Sequence, residues 1–88
     1  MTAYTAERAR ILSVFGGQLR GLREQRGLAQ EGFAEVANLH RNEIGVLERG
    51  QGEPGVLTLL IVADALEVPP HILLDGLPVP GERRPRRC

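Results

Sequence analysis

Two short stretches with helical apolar spacing, residues 30–37 and 41–49, are separated by only three residues, Asn38-Leu39-His40. A connection that short cannot loop back at a distance, so the two helices must cross sharply and in contact. Such a crossing requires a small side chain, and Ala34 supplies it. The turn requires a residue that tolerates positive φ, and Asn38 is the best choice short of glycine. Leu39, Ile44 and Leu47 then close the core beneath the pair. The second helix is left with Arg41, Asn42, Gly45, Val46 and Arg49 on its other face.

The remaining segments are consistent with an all-α chain. Ile11, Leu12, Phe15, Leu19 and Leu22 recur at helical spacing and predict a helix over 5–26. Gly16-Gly17 interrupts it, so this region reads either as two helices or as one with a bend. Gly27 suits a left-handed stop. Residues 50–55 are dense in turn formers. A fourth helix fits 56–66, and Pro70 opens a fifth at 70–74. Only Tyr4, Phe15 and Phe33 are aromatic, so the core is aliphatic. The expected division is an N-terminal helical extension at 1–14, a five-helix bundle at 15–77, and a tail rich in proline and arginine at 78–88.

Composition excludes several functions. Cys88 is the single cysteine, and His40 and His71 are the only histidines, too few for a disulfide scaffold or a zinc site. No metal or cofactor is expected. No apolar run approaches the roughly 20 residues of a membrane span, and no leader pattern is visible. A cytoplasmic location is therefore expected. Ser13, the only serine, has no base near it in sequence, and lysine is absent altogether. Nucleophilic catalysis has no candidate group, so an enzyme is not expected. Formal charge is zero, but it is unevenly spread. Residues 1–77 hold seven arginines against ten carboxylates, while Arg83, Arg84, Arg86 and Arg87 crowd the end.

Two helices joined this way form a helix-turn-helix. The ordered set Leu19-Arg20-Gly21-Leu22-Arg23, Gly27-Leu28-Ala29-Gln30, Phe33-Ala34, Ile44, Leu47-Glu48-Arg49-Gly50, Pro54 and Ala63-Asp64-Ala65-Leu66-Glu67-Val68 resembles the Cro-and-repressor helix-turn-helix family, over about 15–77. The Leu-His-Arg turn and the Leu-Glu-Arg-Gly ending are also similar to restriction–modification controller proteins. The resemblance implies a phage-repressor-type fold and a small dimeric transcriptional regulator that reads double-stranded DNA at an inverted repeat. It implies that Arg41, Asn42 and Val46 read bases. Arginine pairs with guanine, asparagine with adenine, and an apolar group meets a thymine methyl. It further implies phosphate contacts at Gln30, His40 and Arg49, and a structural ion pair between Arg23 and Glu48. The sequence departs from the pattern in places. His40 and Ala29 stand where hydroxyl caps are usual, at a cost of about 1 kcal/mol each. Glu43 adds negative charge, and Gly45 weakens the helix.

Leu57 and Ile61 occupy positions that are usually polar in the family, as does Ile72. Together with Leu60 and Leu77 they are expected to form a homodimer patch. The alternative function is a protein-interaction module, antitoxin-like or partner-binding, that keeps the same fold. Near-zero charge and the apolar outer face of the fourth helix favour it.

Overall fold

A computed structural model describes residues 3–79 of the 88, with side chains from residue 5 onward. The arginines of the expected tail and Cys88 lie outside the described residues.

Among the described residues there are four α-helices and no strand: α1 (Ala3–Gln25), α2 (Gln30–Ala37), α3 (Arg41–Glu48) and α4 (Val56–Leu66). The doubt at Gly16-Gly17 resolves as one continuous helix. Gly16 is buried where α1 meets α3: a Cβ there would stand 2.4 Å from the Glu48 carbonyl oxygen. Gly17 faces open space. The chain leaves α1 through Gly27 at φ 70°, and leaves α4 through Glu67 at φ 59°.

The expected fifth helix is instead a single 3₁₀ turn, Pro70–Leu73. Its hydrogen bonds run from Ile72 N to Pro69 O (3.0 Å) and from Leu74 N to His71 O (3.1 Å). The left-handed Gly76 (φ 79°) and then Pro78 follow too soon for a full α-helical turn to propagate.

Phe15 and Leu19 of α1, Phe33 and Ala34 of α2, Ile44 and Leu47 of α3, and Val62, Ala63 and Leu66 of α4 form one core with Leu73. Phe33, Leu19, Ile44, Leu66, Leu73 and Val62 are fully buried. Each fully buried Val, Leu, Ile or Phe is worth about 1.5–3 kcal/mol, so this core anchors α3 through Ile44 and Leu47 and leaves Arg41, Asn42 and Glu43 exposed.

Candidate nucleic-acid interface

The α2–α3 turn is built as the residue types require. Asn38 adopts the left-handed conformation (φ 56°, ψ 43°), and its N–H bonds back to α2. Leu39 N donates to Ala34 O at 2.8 Å, and Ala34 is buried at the crossing.

The structure corrects the expectation that His40 is a poor cap. Its Nδ1 accepts from Asn42 N at 3.1 Å, while its own backbone N donates to Glu43 Oε1 at 3.0 Å. This is a reciprocal capping box, with histidine in the hydroxyl's place. Glu43 is therefore structural as well as a negative charge. The three-residue spacing from His40 to Glu43 carries that signal in the sequence. Ala29 provides no side-chain cap for α2, as expected.

On α3, Ile44 and Leu47 point into the core, while Arg41, Asn42 and Glu43 are exposed. Arg41 Nη1 stands 3.7 Å from Glu31 Oε1 on α2, a partner the sequence reading missed. Val46 is half-buried and borders a hollow shared with Asn42, Glu43, Gly52, Glu53, Pro54 and Thr58. Gly52 lets the loop approach: a Cβ there would meet Val46 Cγ1 at 2.7 Å. Arg49 is exposed, and its Nε donates to Gln51 Oε1 at 3.0 Å.

Arg23 and Glu48 meet as expected. Arg23 Nε and Nη2 donate to the two Glu48 carboxylate oxygens at 2.6 and 3.0 Å, and Arg23 Nη1 donates to Leu28 O at 2.7 Å. The side chains are 9% and 3% exposed. The Glu48 hydrogen bond raises the Arg23 pKa, burial opposes it, and the charges of Glu48 and Glu24 add to the rise. Gln30 Nε2 donates to Glu48 Oε1 at 3.0 Å, so the glutamine expected at phosphate is anchored on this pair.

Of the five residues expected in a dimer patch, Leu57 and Leu60 are 71% and 47% exposed, and Ile61 is half-buried beside them on α4. Leu60 and Ile61 share a hollow with Val36, Ala37, Asn38 and Asp64. Ile72 instead borders α1 at Gln18 and Leu22. Leu77 packs on the core beside Ile11 and Phe15.

A short helix held by its apolar face, presenting polar side chains outward and joined to an equally short helix by a left-handed turn, defines the helix-turn-helix class of DNA-binding regulators. Residues 19–73 match the helix-turn-helix family, and the chain belongs to it. The class regulates transcription by binding DNA and is not enzymatic. The chain is 36% identical over 69 residues to control protein C.SmaI of Serratia marcescens, covering 76% of this chain and 82% of that one. It is 31% identical over 55 residues to the uncharacterized helix-turn-helix-type transcriptional regulator YazB of Bacillus subtilis, covering 62% and 80%. Its fold is similar to the crystal structure of the restriction–modification controller protein C.AhdI from Aeromonas hydrophila. That comparison gives a TM-score of 0.69 and 40% identity, over 70% of this chain and 94% of that one. Among the described residues no group of side chains could hold a metal ion, and no helix is long and apolar enough to cross a membrane.

Proposed function

We propose that this chain binds a specific double-stranded sequence as a homodimer, with α3 in the major groove, and regulates transcription in the manner of a controller protein. The observation that carries this reading is the division of α3: Arg41 and Asn42 are exposed at its N-terminal end while Ile44 and Leu47 are buried. That is the end of a recognition helix that meets base edges. Arg41 is matched to guanine and Asn42 to adenine, and the exposed part of Val46 to a thymine methyl. His40 and Arg49 flank this face and are assigned to phosphate. Gln30, held by Glu48, lies at the N-terminus of α2, where free N–H groups also suit phosphate. Two copies joined through Leu57, Leu60 and Ile61 would present two α3 helices to half-sites about one helical turn apart. Likeness to C.SmaI and C.AhdI supports the controller role.

Site selection from random duplex DNA, beside an Arg41→Ala/Asn42→Ala variant, tests the reading. An inverted repeat enriched by the native chain and lost in the variant is the expected result. No enrichment at low salt overturns it in favour of a protein-interaction module. The exposed Val36, Leu57 and Leu60 would then be the surface to follow.

A further inference from the structure

We propose that Arg49 reads a guanine in the major groove, in a pose set by Gly45 and Gln51. The inference rests on the DNA-binding reading above and takes Arg49 beyond the phosphate contact assigned there. It starts from Gly45, a helix-weakening residue in the middle of an eight-residue helix. A Cβ at Gly45 would meet Arg49 Nη1 at 2.9 Å, Cζ at 3.6 Å and Nη2 at 3.7 Å. The missing side chain is thus a trough in α3, and the Arg49 guanidinium lies in it. Arg49 Nε donates to Gln51 Oε1 at 3.0 Å, which pins the inner edge of the group. Its two Nη groups make no hydrogen bond or ion pair among the described residues. Arg8, Arg20, Arg23, Arg26 and Arg41, by contrast, each pair with a carboxylate. Arg49 therefore brings to α3 a charge that no carboxylate shares.

Helix geometry decides where that charge is presented. Asn42, Gly45 and Arg49 fall at i, i+3 and i+7, on one stripe of the helix. Ile44 and Leu47 face the core. Asn42 and Arg49 are exposed, while Gly45 is buried under the guanidinium. Helical side chains lean toward the N-terminus, so Arg49 reaches back over Gly45 toward Asn42. Gly45 and Asn42 are separated by about 4.5 Å along the axis. The free Nη edge therefore shares the outward stripe with a residue already matched to a base. With Nε occupied by Gln51, Nη1 and Nη2 remain as a donor pair, the fork that fits guanine O6 and N7. The planar group is held before binding, so little freedom is lost on contact.

The test is site selection from random duplex DNA with the native chain and with Arg41→Ala, Arg49→Ala and Gly45→Ala variants, thermal unfolding being measured beside it. The native chain is expected to prefer guanine by about tenfold at one position that Arg41→Ala retains. Arg49→Ala and Gly45→Ala should both lose that preference and keep the others. Gly45→Ala retains the charge and should unfold no earlier than the native chain, because only the tip of a flexible side chain must move. If it does not fold, Gln51→Ala takes its place and is expected to lose the same preference. Uniformly weaker binding by Arg49→Ala, with every base preference kept, is the mark of a phosphate contact and overturns the proposal. A guanine preference that survives Gly45→Ala, or Gln51→Ala in its place, also overturns it. Both results leave the DNA-binding reading intact. A native chain that enriches no site overturns both.

Discussion

Gly16 of α1 lies directly against the carbonyl oxygen of Glu48 at the end of α3, where a Cβ would stand 2.4 Å away. Gly50 repeats the contact from the other side. Its Cβ would be 2.8 Å from Ser13 Cα, and its φ is +71°. α3 and the turn that follows it thus rest backbone to backbone on α1, with a glycine in each wall. Both obstacles are main chain and cannot rotate away. Gly16→Ala is expected to destabilise the domain by about 2–3 kcal/mol, lowering Tm by at least about 10 °C. Gly17→Ala, one residue on and exposed with nothing within 4 Å, is expected to stabilise it by about 0.5–1 kcal/mol. Thermal unfolding of the two variants should move in opposite directions. Equal shifts would mean that α1 and α3 do not touch here.

The Arg23–Glu48 pair is bidentate, buried and shared with Gln30 and Leu28 O. Glu48→Ala leaves a buried guanidinium with one carbonyl partner and should cost about 3–5 kcal/mol in urea denaturation. Replacing both partners, Arg23→Met with Glu48→Leu, should recover much of that loss. A double variant as weak as the single one would show that the pair is worth more than its geometry indicates. The Arg23 pKa is raised in the fold, first by the Glu48 hydrogen bond. A raised base contributes its stability fully below its unfolded pKa and loses it only as pH climbs through the folded value. Deprotonation of Arg23 therefore adds no pH dependence to stability near neutrality.

His40 caps α3 through Nδ1. His40→Ala is expected to cost about 1 kcal/mol, and His40→Ser or His40→Asn to retain most of it. Chemical denaturation of the three variants checks the order. If alanine matches serine, the cap contributes nothing.

Glu31 holds Arg41 loosely at 3.7 Å, with both side chains well exposed. Such a pair contributes at most about 1 kcal/mol, so Glu31→Gln should leave the fold intact. It also frees Arg41 and removes a negative charge beside the groove. Operator binding is expected to tighten by less than about tenfold. Weakened binding would mean that Glu31 orients Arg41 for its contact.

Leu57 and Leu60 are too exposed to serve the monomer's core. Leu57→Glu with Leu60→Glu should keep the helical signal but convert a dimer to a monomer in sedimentation. A dimer that survives both changes would move the interface to another face.

The sequence by itself determined the helix-turn-helix. Residues 30–37 and the start of α3 at Arg41 were legible because apolar spacing and turn chemistry are local properties. So was the left-handed Asn38, which the three-residue turn demands. The extent of α4, at 56–66, followed from Gly55, the apolar run and what ends it. Only the tertiary structure decided the rest. Gly16 reads locally as a weak point in a helix, and becomes a requirement once α3 is laid on it. Glu43 reads as an unwelcome charge until its carboxylate closes back on the His40 N–H. The resemblance marks Gln30 as a phosphate contact, but only the fold shows its amide nitrogen held by a carboxylate 18 residues away. The meeting of Leu77 and Pro78 with Glu53 and Pro54 around one hollow has no local signature at all. The physical reason is range. Helix periodicity and turn preference act over a few residues. Close backbone approach and shared carboxylates depend on which distant segments the core brings together.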